Sequence, residues 1–476
     1  MPLIVATALF MENMDATVIA TSLPAIAKDI GTNPLALKLA VTSYLLSLAI
    51  FIPASGWTAD RFGARTVFRA AIAIFMLGSI GCAFARSLEG FVFARVIQGV
   101  GGAMMTPVGR LVLVRSVDKR ELVNAMAWVT APALIGPVIG PPLGGFITTY
   151  ASWPWIFLIN LPIGLVGIVL ATRYIDPVRS EHLDKFDGLG MLLAGLGVAG
   201  LAFGFSVAGL DLLPWPSVVA LILGGAIFMT AYVLHARKTP APVLDFGLFE
   251  LPTMRAGVIG GFMFRLGIGS LEFLLPLMLQ LGFGLNPFHS GMITFATAVG
   301  ALGMKTVASR AIQRFGFRKV LVADAVISSA FLAACAAFTP STPIPLIVGI
   351  LLVGGFFRSL QFTCINTIAY AEVDPPRMSR ATSLMSVQQQ LAISAGVATG
   401  ALIVETTLRL RGETAIGADD FTPAFLIVAA ISAMSTFVFA RLPADAGAEM
   451  SGHRPVPTGK AEPIAAAETA DQRMGG

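Results

Sequence analysis

A chain of 476 residues with 56% hydrophobic side chains and only 12% charged ones carries about half the roughly 25% charge of soluble domains, which excludes an ordinary water-soluble protein. The formal net charge of +5 raises nucleic acid as a partner, yet the basic residues sit in short loops between apolar runs, so no nucleic acid is expected. Cys82, Cys335 and Cys364 stand inside apolar runs without CxxC spacing, which argues against a disulfide framework, a zinc site or any other bound metal.

Apolar runs near 20 residues, the length that carries an α-helix across a bilayer core of roughly 30 Å, recur along the whole chain. They fall at about 3–26, 39–59, 66–86, 89–115, 123–149, 153–174, 188–209, 214–236, 253–281, 288–312, 318–338, 343–370, 383–408 and 422–441. Fourteen helical spans are implied; the alternation that a β-barrel strand needs is missing. The first run has no basic stretch before it and carries Glu12 and Asp15, so it is read as a retained helix and not a cleaved signal. Positive charge collects in alternate loops, including Arg61, Arg65 and Arg69, then Arg115, Lys119 and Arg120, then Arg310, Arg314, Arg318 and Lys319. The opposite loops hold only Lys28, Lys38, Arg86, Arg409 and Arg411, which places both termini in the cytoplasm.

The first basic loop, Gly56-Trp-Thr-Ala-Asp60-Arg61-Phe-Gly63-Ala-Arg65, reads as a tight hinge in which two glycines let the chain reverse. Asp60 can pair with a guanidinium or cap the helix starting near Thr66. A topology-setting basic loop without further role is the plain alternative.

Three pieces of the chain occur twice in the same order. Phe10-Met11 with Leu23-Pro24 returns as Phe262-Met263 with Leu275-Pro276. Arg61-Phe-Gly63-x-Arg65 returns as Arg314-Phe-Gly316-x-Arg318, and Arg95-x-x-Gln98 returns as Arg358-x-x-Gln361. An even number of spans separates the copies, so the halves face the same way, as parallel repeats do. The expected organisation is a six-helix bundle at 1–175, a linker with two extra helices at 176–252, a second bundle at 253–442 and a disordered cytoplasmic tail at 443–476.

The hinge resembles the loop signature G-x-x-x-D-R-x-G-x-R of the major facilitator superfamily. Met14-Asp15-Ala-Thr17 through Leu23-Pro24 is similar to the first-helix motif of its fourteen-helix drug:proton antiporters. Arg95-Val-Ile-Gln98-Gly99 resembles the fourth-helix arginine motif, and Gly136-Pro137 through Gly140, Gly144 and Gly145 resembles the antiporter motif of the fifth helix. Trp153-Pro-Trp155 through Asn160-Leu-Pro162 is similar to the start of the sixth helix in EmrB/QacA-type permeases. The likeness runs from Met1 to about Pro443 and extends to the MdtD/HsrA-like branch through His235-Ala-Arg-Lys-Thr-Pro and Arg265-Leu-Gly. It implies an all-α polytopic membrane protein of major facilitator fold, in a bacterial inner membrane, that works by alternating access without a cofactor. The second hinge departs from the signature, with Gln313 where the first has Asp60.

A charge at the centre of a span costs roughly 2.5–3.5 kcal/mol on insertion scales, so each one kept there is a functional candidate. Glu12 and Asp15 are three apart on one helical face; Arg265 and Glu272 are seven apart on another; Arg95, Lys305 and Arg358 complete the set. The four histidines lie at span ends, in loops or in the tail, which leaves carboxylates to carry a coupling proton. Asp15 with Arg95 is the favoured pair, with Glu12 and Glu272 as substitutes; a static ion pair is the alternative. Gln98, Asn160, Arg265, Lys305, Arg358 and Gln361 are expected to face the substrate cavity. Gly136, Gly140 and Gly144 permit close helix contact, and Pro137, Pro141 and Pro142 favour a bend. Gly195-Leu-Gly197-Val-Ala-Gly200 fits a dinucleotide fingerprint only in spacing, because no strand precedes it.

The expected function is proton-coupled efflux of small molecules, with an anionic metabolite or metal chelate as the alternative cargo. A membrane sensor or enzyme that moves no solute is a remoter alternative. The expected partners are substrate, protons and lipid, with a periplasmic adaptor protein admitted and a monomeric state assumed.

Overall fold

The computed structural model describes residues 2–116, 122–175, 186–207, 213–240, 242–304, 307–374, 377–413 and 415–448. Lys305 and residues 449–476 of the expected tail lie outside them. The described residues form α-helices and short helical turns. In chain order the helices are α1 (Pro2–Val18), α2 (Leu23–Ile30), α3 (Lys38–Phe51), α4 (Ser55–Phe62), α5 (Ala64–Phe84), α6 (Leu88–Ser116), α7 (Leu122–Tyr150), α8 (Trp155–Leu158) and α9 (Asn160–Tyr174). They continue as α10 (Gly188–Val207), α11 (Trp215–Ala236), α12 (Pro252–Leu277), α13 (Pro287–Met304), α14 (Ala308–Phe315), α15 (Phe317–Ala334), α16 (Ile344–Ile368), α17 (Met378–Arg411) and α18 (Phe421–Ala440).

Among the described residues twelve helical segments are long and apolar enough to cross a bilayer. The protein is therefore a multi-pass membrane protein. The long helices α7 and α13 account for the other two runs read from the sequence. α13 opens on Pro287, His289 and Ser290, which dilutes its apolar character.

Three boundaries differ from expectation. The second apolar run breaks at Pro53 into a 3-10 turn (Ile52–Ala54), after which α4 runs along the hinge. The tenth run, expected to reach residue 312, ends at Met304. Arg310, Gln313 and Arg314 instead belong to the separate short helix α14, too polar for a span. Lys38, expected in a loop, is the buried first residue of α3.

The hinge works through one glycine per copy. Gly63 at φ 88° and Gly316 at φ 74° stand between α4 and α5 and between α14 and α15, a backbone region that side chains disfavour. Gly56 is helical, and a Cβ there would meet nothing within 4 Å, so its expected role in chain reversal is corrected. Asp60 lies inside α4 and does not cap α5, which begins at Ala64 directly after Gly63. Arg65 donates to the Thr172 carbonyl at the end of α9. Its copy Arg318 donates to the Ala440 carbonyl at the end of α18, 2.9 Å away. In both places a guanidinium ties the hinge to the C-terminal end of a helix, where unpaired carbonyls and the helix dipole favour a cation. The linker meets the first hinge where Phe186 stacks on Trp57 at 4.8 Å.

The glycine stripe of α7 is a packing surface. A side chain at Gly140 or Gly144 would run into Thr17, Val18 or Thr21 of the first helical segment, and one at Gly145 into the Pro287 carbonyl. α7 is thereby wedged between α1 and α13. Its helix runs unbroken through Pro137, Pro141 and Pro142.

Candidate transport site and coupling network

A central cavity of about 440 Å³ lies between the first and second parts of the chain. Its wall includes Glu12, Tyr44, Arg95 and Pro137 from the first part, and Glu272, Thr297, Arg358, Phe362 and Gln389 from the second. That volume falls in the range of small-molecule sites, about 300–1,000 Å³. At one end the parts are joined by Gln280 Nε2 donating to the Thr21 carbonyl at 3.0 Å and by the Phe288 amide donating to Thr149 Oγ1 at 3.1 Å. Lys38 Nζ and Glu405 Oε2 add an ion pair at 3.8 Å there. These contacts sit at the ends of α1, α7, α12 and α17 and the starts of α3 and α13.

Arg95, in the wall, is 1% exposed, and Asp15, immediately behind it, is 0% exposed. Arg95 Nη1 donates to Asp15 Oδ2 at 2.7 Å and to Gln98 Oε1 at 2.6 Å. Gln98 Nε2 and Asn160 Nδ2 each donate to Asp15 Oδ1 at 2.8 Å, and both amides also reach Ser79 Oγ, at 2.9 and 3.2 Å. The carboxylate thus accepts three hydrogen bonds in a site closed to water, which offsets the cost of burying its charge. On its other side the Arg95 guanidinium lies 4.2 Å from the Tyr44 ring centre, at the cavity wall.

Each member is delivered by local structure. Arg95 and Gln98 are three apart and share one face of α6. Where α5 crosses α6, a Cβ on Gly78 would meet the Gln98 backbone, so the glycine allows the approach that brings Ser79 to Gln98. Asn160 opens α9, and its position follows from Trp153 and Phe157 packing edge-on against Phe91 of α6 at 6.2 and 5.7 Å.

Asp15, Arg95, Gln98 and Asn160, expected from three separate motifs, meet in one network. Glu12, Glu272 and Arg358 join Arg95 at the cavity. Glu12 accepts from Thr106 Oγ1 at 2.6 Å. Gln98 and Asn160 sit behind the wall and are not among the residues that line it.

Arg265 and Gln361 were also expected in the cavity and lie elsewhere. Arg265 is 0% exposed behind Phe362, donating at 2.7 Å to both Gln388 Oε1 and Asn366 Oδ1. Gln361 is buried and donates to the Leu321 carbonyl at 3.1 Å. Both turn inward because α12 and α16 present those faces to their own bundle. Tyr44, Ser79, Asn366 and Gln388 were missed, since uncharged polar residues give no signal in a single sequence. The interior charges of α15 and α17, Asp324 and Glu405, were missed although their positions within apolar runs could have flagged them.

Residues 5–251 and 257–468 match the Major Facilitator Superfamily. The match continues past Pro443, where the resemblance was expected to end. MdtD proteins named for multidrug resistance, from Salmonella heidelberg (strain SL476) and Salmonella typhimurium (strain LT2), are 39% identical over 453 residues, covering 93% of this chain and 94% of theirs. A D-xylose–proton symporter superposes with a TM-score of 0.68 at 14% identity, covering 94% of this chain and 98% of that one. The nucleoside transporter NupG does so with a TM-score of 0.63 at 14% identity, covering 92% and 98%. At such identity these two structures show a shared fold and nothing finer.

Proposed function

Since the chain belongs to the Major Facilitator Superfamily, we propose that it is a secondary transporter, not an enzyme, that expels small molecules of the multidrug type in exchange for protons. The observation that carries this reading is the buried Asp15 carboxylate, joined to the cavity through Arg95. Arg95 holds Asp15 with one face and meets Tyr44 at the cavity wall with the other. A proton on Asp15 cancels the charge that fixes Arg95, so the guanidinium is released toward the cavity and alters the wall where substrate sits. Glu12 and Glu272, at the wall, receive the proton first. One proton moving down 100 mV supplies about 2.3 kcal/mol, enough with a pH gradient to sustain export.

Residues 1–175 and 253–442 act as the two rocking halves, 176–252 as a linker with two inserted helices, and fourteen helices cross the membrane. Asp60, Arg61, Gly63 and Arg65, with Arg314, Gly316 and Arg318, form the cytoplasmic gating hinges. Gly136, Pro137, Gly140, Gly144 and Gly145 transmit motion between α1 and α13. With both termini in the cytoplasm of a bacterial inner membrane, the Lys38–Glu405 end faces the periplasm and is closed. The protein works as a monomer in lipid, and a periplasmic adaptor would dock at that end.

Purified protein in liposomes is expected to expel ethidium only when a proton gradient is imposed. Efflux that persists with an uncoupler overturns the reading. A second reading, export of an anionic metabolite or metal chelate, is favoured by Arg95 and Arg358 at the wall. Displacement of bound ethidium by organic acids but not by lipophilic cations would select it.

A further inference from the structure

The transport scheme makes no use of one interior carboxylate. Asp324 on α15 is 2% exposed. Its Oδ1 accepts a long hydrogen bond of 3.4 Å from Ser328 Oγ, one turn further on, and its Oδ2 has no hydrogen-bond partner among the described residues. Gln361 of α16 lies against the same turn, with its amide on the Leu321 carbonyl and no hydrogen-bond partner for its Oε1 among the described residues. The elements packed against α15 are α12, α14, α16, α18 and the turn Cys335–Ala337. Their ionisable groups are Arg255, Arg265 and Glu272 on α12, Arg310 and Arg314 on α14, Arg358 and Cys364 on α16, and Cys335 in the turn; α18 has none. None forms an ion pair with Asp324 among the described residues. A buried ionised carboxylate with one oxygen lacking a partner among the described residues is costly away from water, whereas the neutral acid gains a hydrogen with which to donate.

Ser328 also lines a second, small cavity of about 30 Å³, together with Thr297, Arg358 and Ser432. A site of that size has room for two or three waters at most, given about 10–15 Å³ for each and polar groups to bind them. Arg358 and Thr297 line the central cavity as well, where Glu272 is exposed. Thr297 and Arg358 thus stand in the wall shared by the two cavities, and Ser328 links the smaller one to Asp324.

We propose that Asp324 is a second proton-binding site, loaded from Glu272 through the small cavity and Ser328. The inference rests on the proton-coupled reading above. In the loading step the Glu272 O–H bond breaks as water of the central cavity takes the proton and hands one on, past Thr297 and Arg358, to water in the small cavity. That water passes a proton to Ser328 Oγ, whose own hydrogen moves to Asp324 and forms the new O–H bond. Glu272 is left ionised near Arg358, and the water and the serine are restored.

Infrared spectroscopy of purified protein at neutral pH tests the site without any substrate. A protonated-carboxyl stretch present in the parent and absent from Asp324→Asn is expected; the same bands in both overturn the proposal. In Ser328→Ala, which keeps the carboxyl, exchange of that band in heavy water is expected to slow at least tenfold, and an unchanged rate overturns the route. In liposomes, Asp324→Asn is expected to move one proton fewer per ethidium while ethidium counterflow is retained; unchanged stoichiometry overturns the coupling role. A parent that ignores the proton gradient sinks the export reading and this coupling role together, and the infrared band alone then decides whether Asp324 holds a proton.

Discussion

The two parts of this chain carry the same scaffold and different chemistry. Each has a short helix, a glycine at positive φ and an arginine bound to the end of a distant helix, Arg65 to Thr172 and Arg318 to Ala440. Their buried networks diverge. The first is built on opposite charges, with Asp15 against Arg95 and amides from Gln98 and Asn160 completing the carboxylate. In the second the buried cation, Arg265, rests on two neutral amide carbonyls, and Gln361, the repeat of Gln98, binds a backbone carbonyl. The contacts that hold the hinges are alike in the two parts, while the buried Asp15–Arg95 pair of opposite charges stands in the first.

The sharpest way to break this comparison is Asp15→Asn. It leaves Arg95 buried without a counter-charge, a loss of about 3–5 kcal/mol, and the thermal unfolding midpoint should fall while gradient-driven efflux disappears. Adding Arg95→Gln should restore the midpoint and not the efflux. Full efflux in the single variant would move the proton site to Glu12 or Glu272.

Arg265→Gln should cost less, about 1–3 kcal/mol, because only hydrogen bonds to neutral partners are lost. Its efflux should stay within tenfold of the parent. A fall as deep as that of Asp15→Asn would mean that the second network depends on charge after all.

Gly144→Ala forces a methyl group against the Val18 carbonyl and should cost about 1–3 kcal/mol by overpacking. Unfolding in detergent reads this directly; no change would remove the tight α1–α7 contact. Arg65→Gln and Arg318→Gln should each cost about 1 kcal/mol or less, being partly solvated donors. The partly buried Arg65 should cost the more of the two, and the reverse order would undo the likeness of the hinges. Gly56→Ala is the smallest case, expected within about 0.5 kcal/mol of the parent, because the position is helical and open. A large loss there would restore Gly56 to the turn.

Much of the site was legible because a membrane penalises charge. Glu12, Asp15, Arg95, Glu272 and Arg358 stood out within apolar runs, and the three-residue spacing of Arg95 and Gln98 put both on one face. The hinge repeat likewise announced two parts of one design. Uncharged partners such as Ser79, Gln388 and Asn366 gave no such signal, because a polar residue in an apolar run reads the same whether it binds a charge or its own backbone.

The sequence by itself determined the long helices, the doubled hinge and the pairing of an acidic first helix with an arginine-bearing fourth. Periodicity and apolar length are local properties, and backbone hydrogen bonds must close within each segment in lipid. Only the tertiary structure decided that Asn160 completes the Asp15 network, that Arg265 turns away from the cavity and that Lys38 meets Glu405 where the two parts join at one end. Those outcomes depend on which helix faces meet between segments as much as 367 residues apart. A helical period says which side chains share a face, and packing alone says what that face touches.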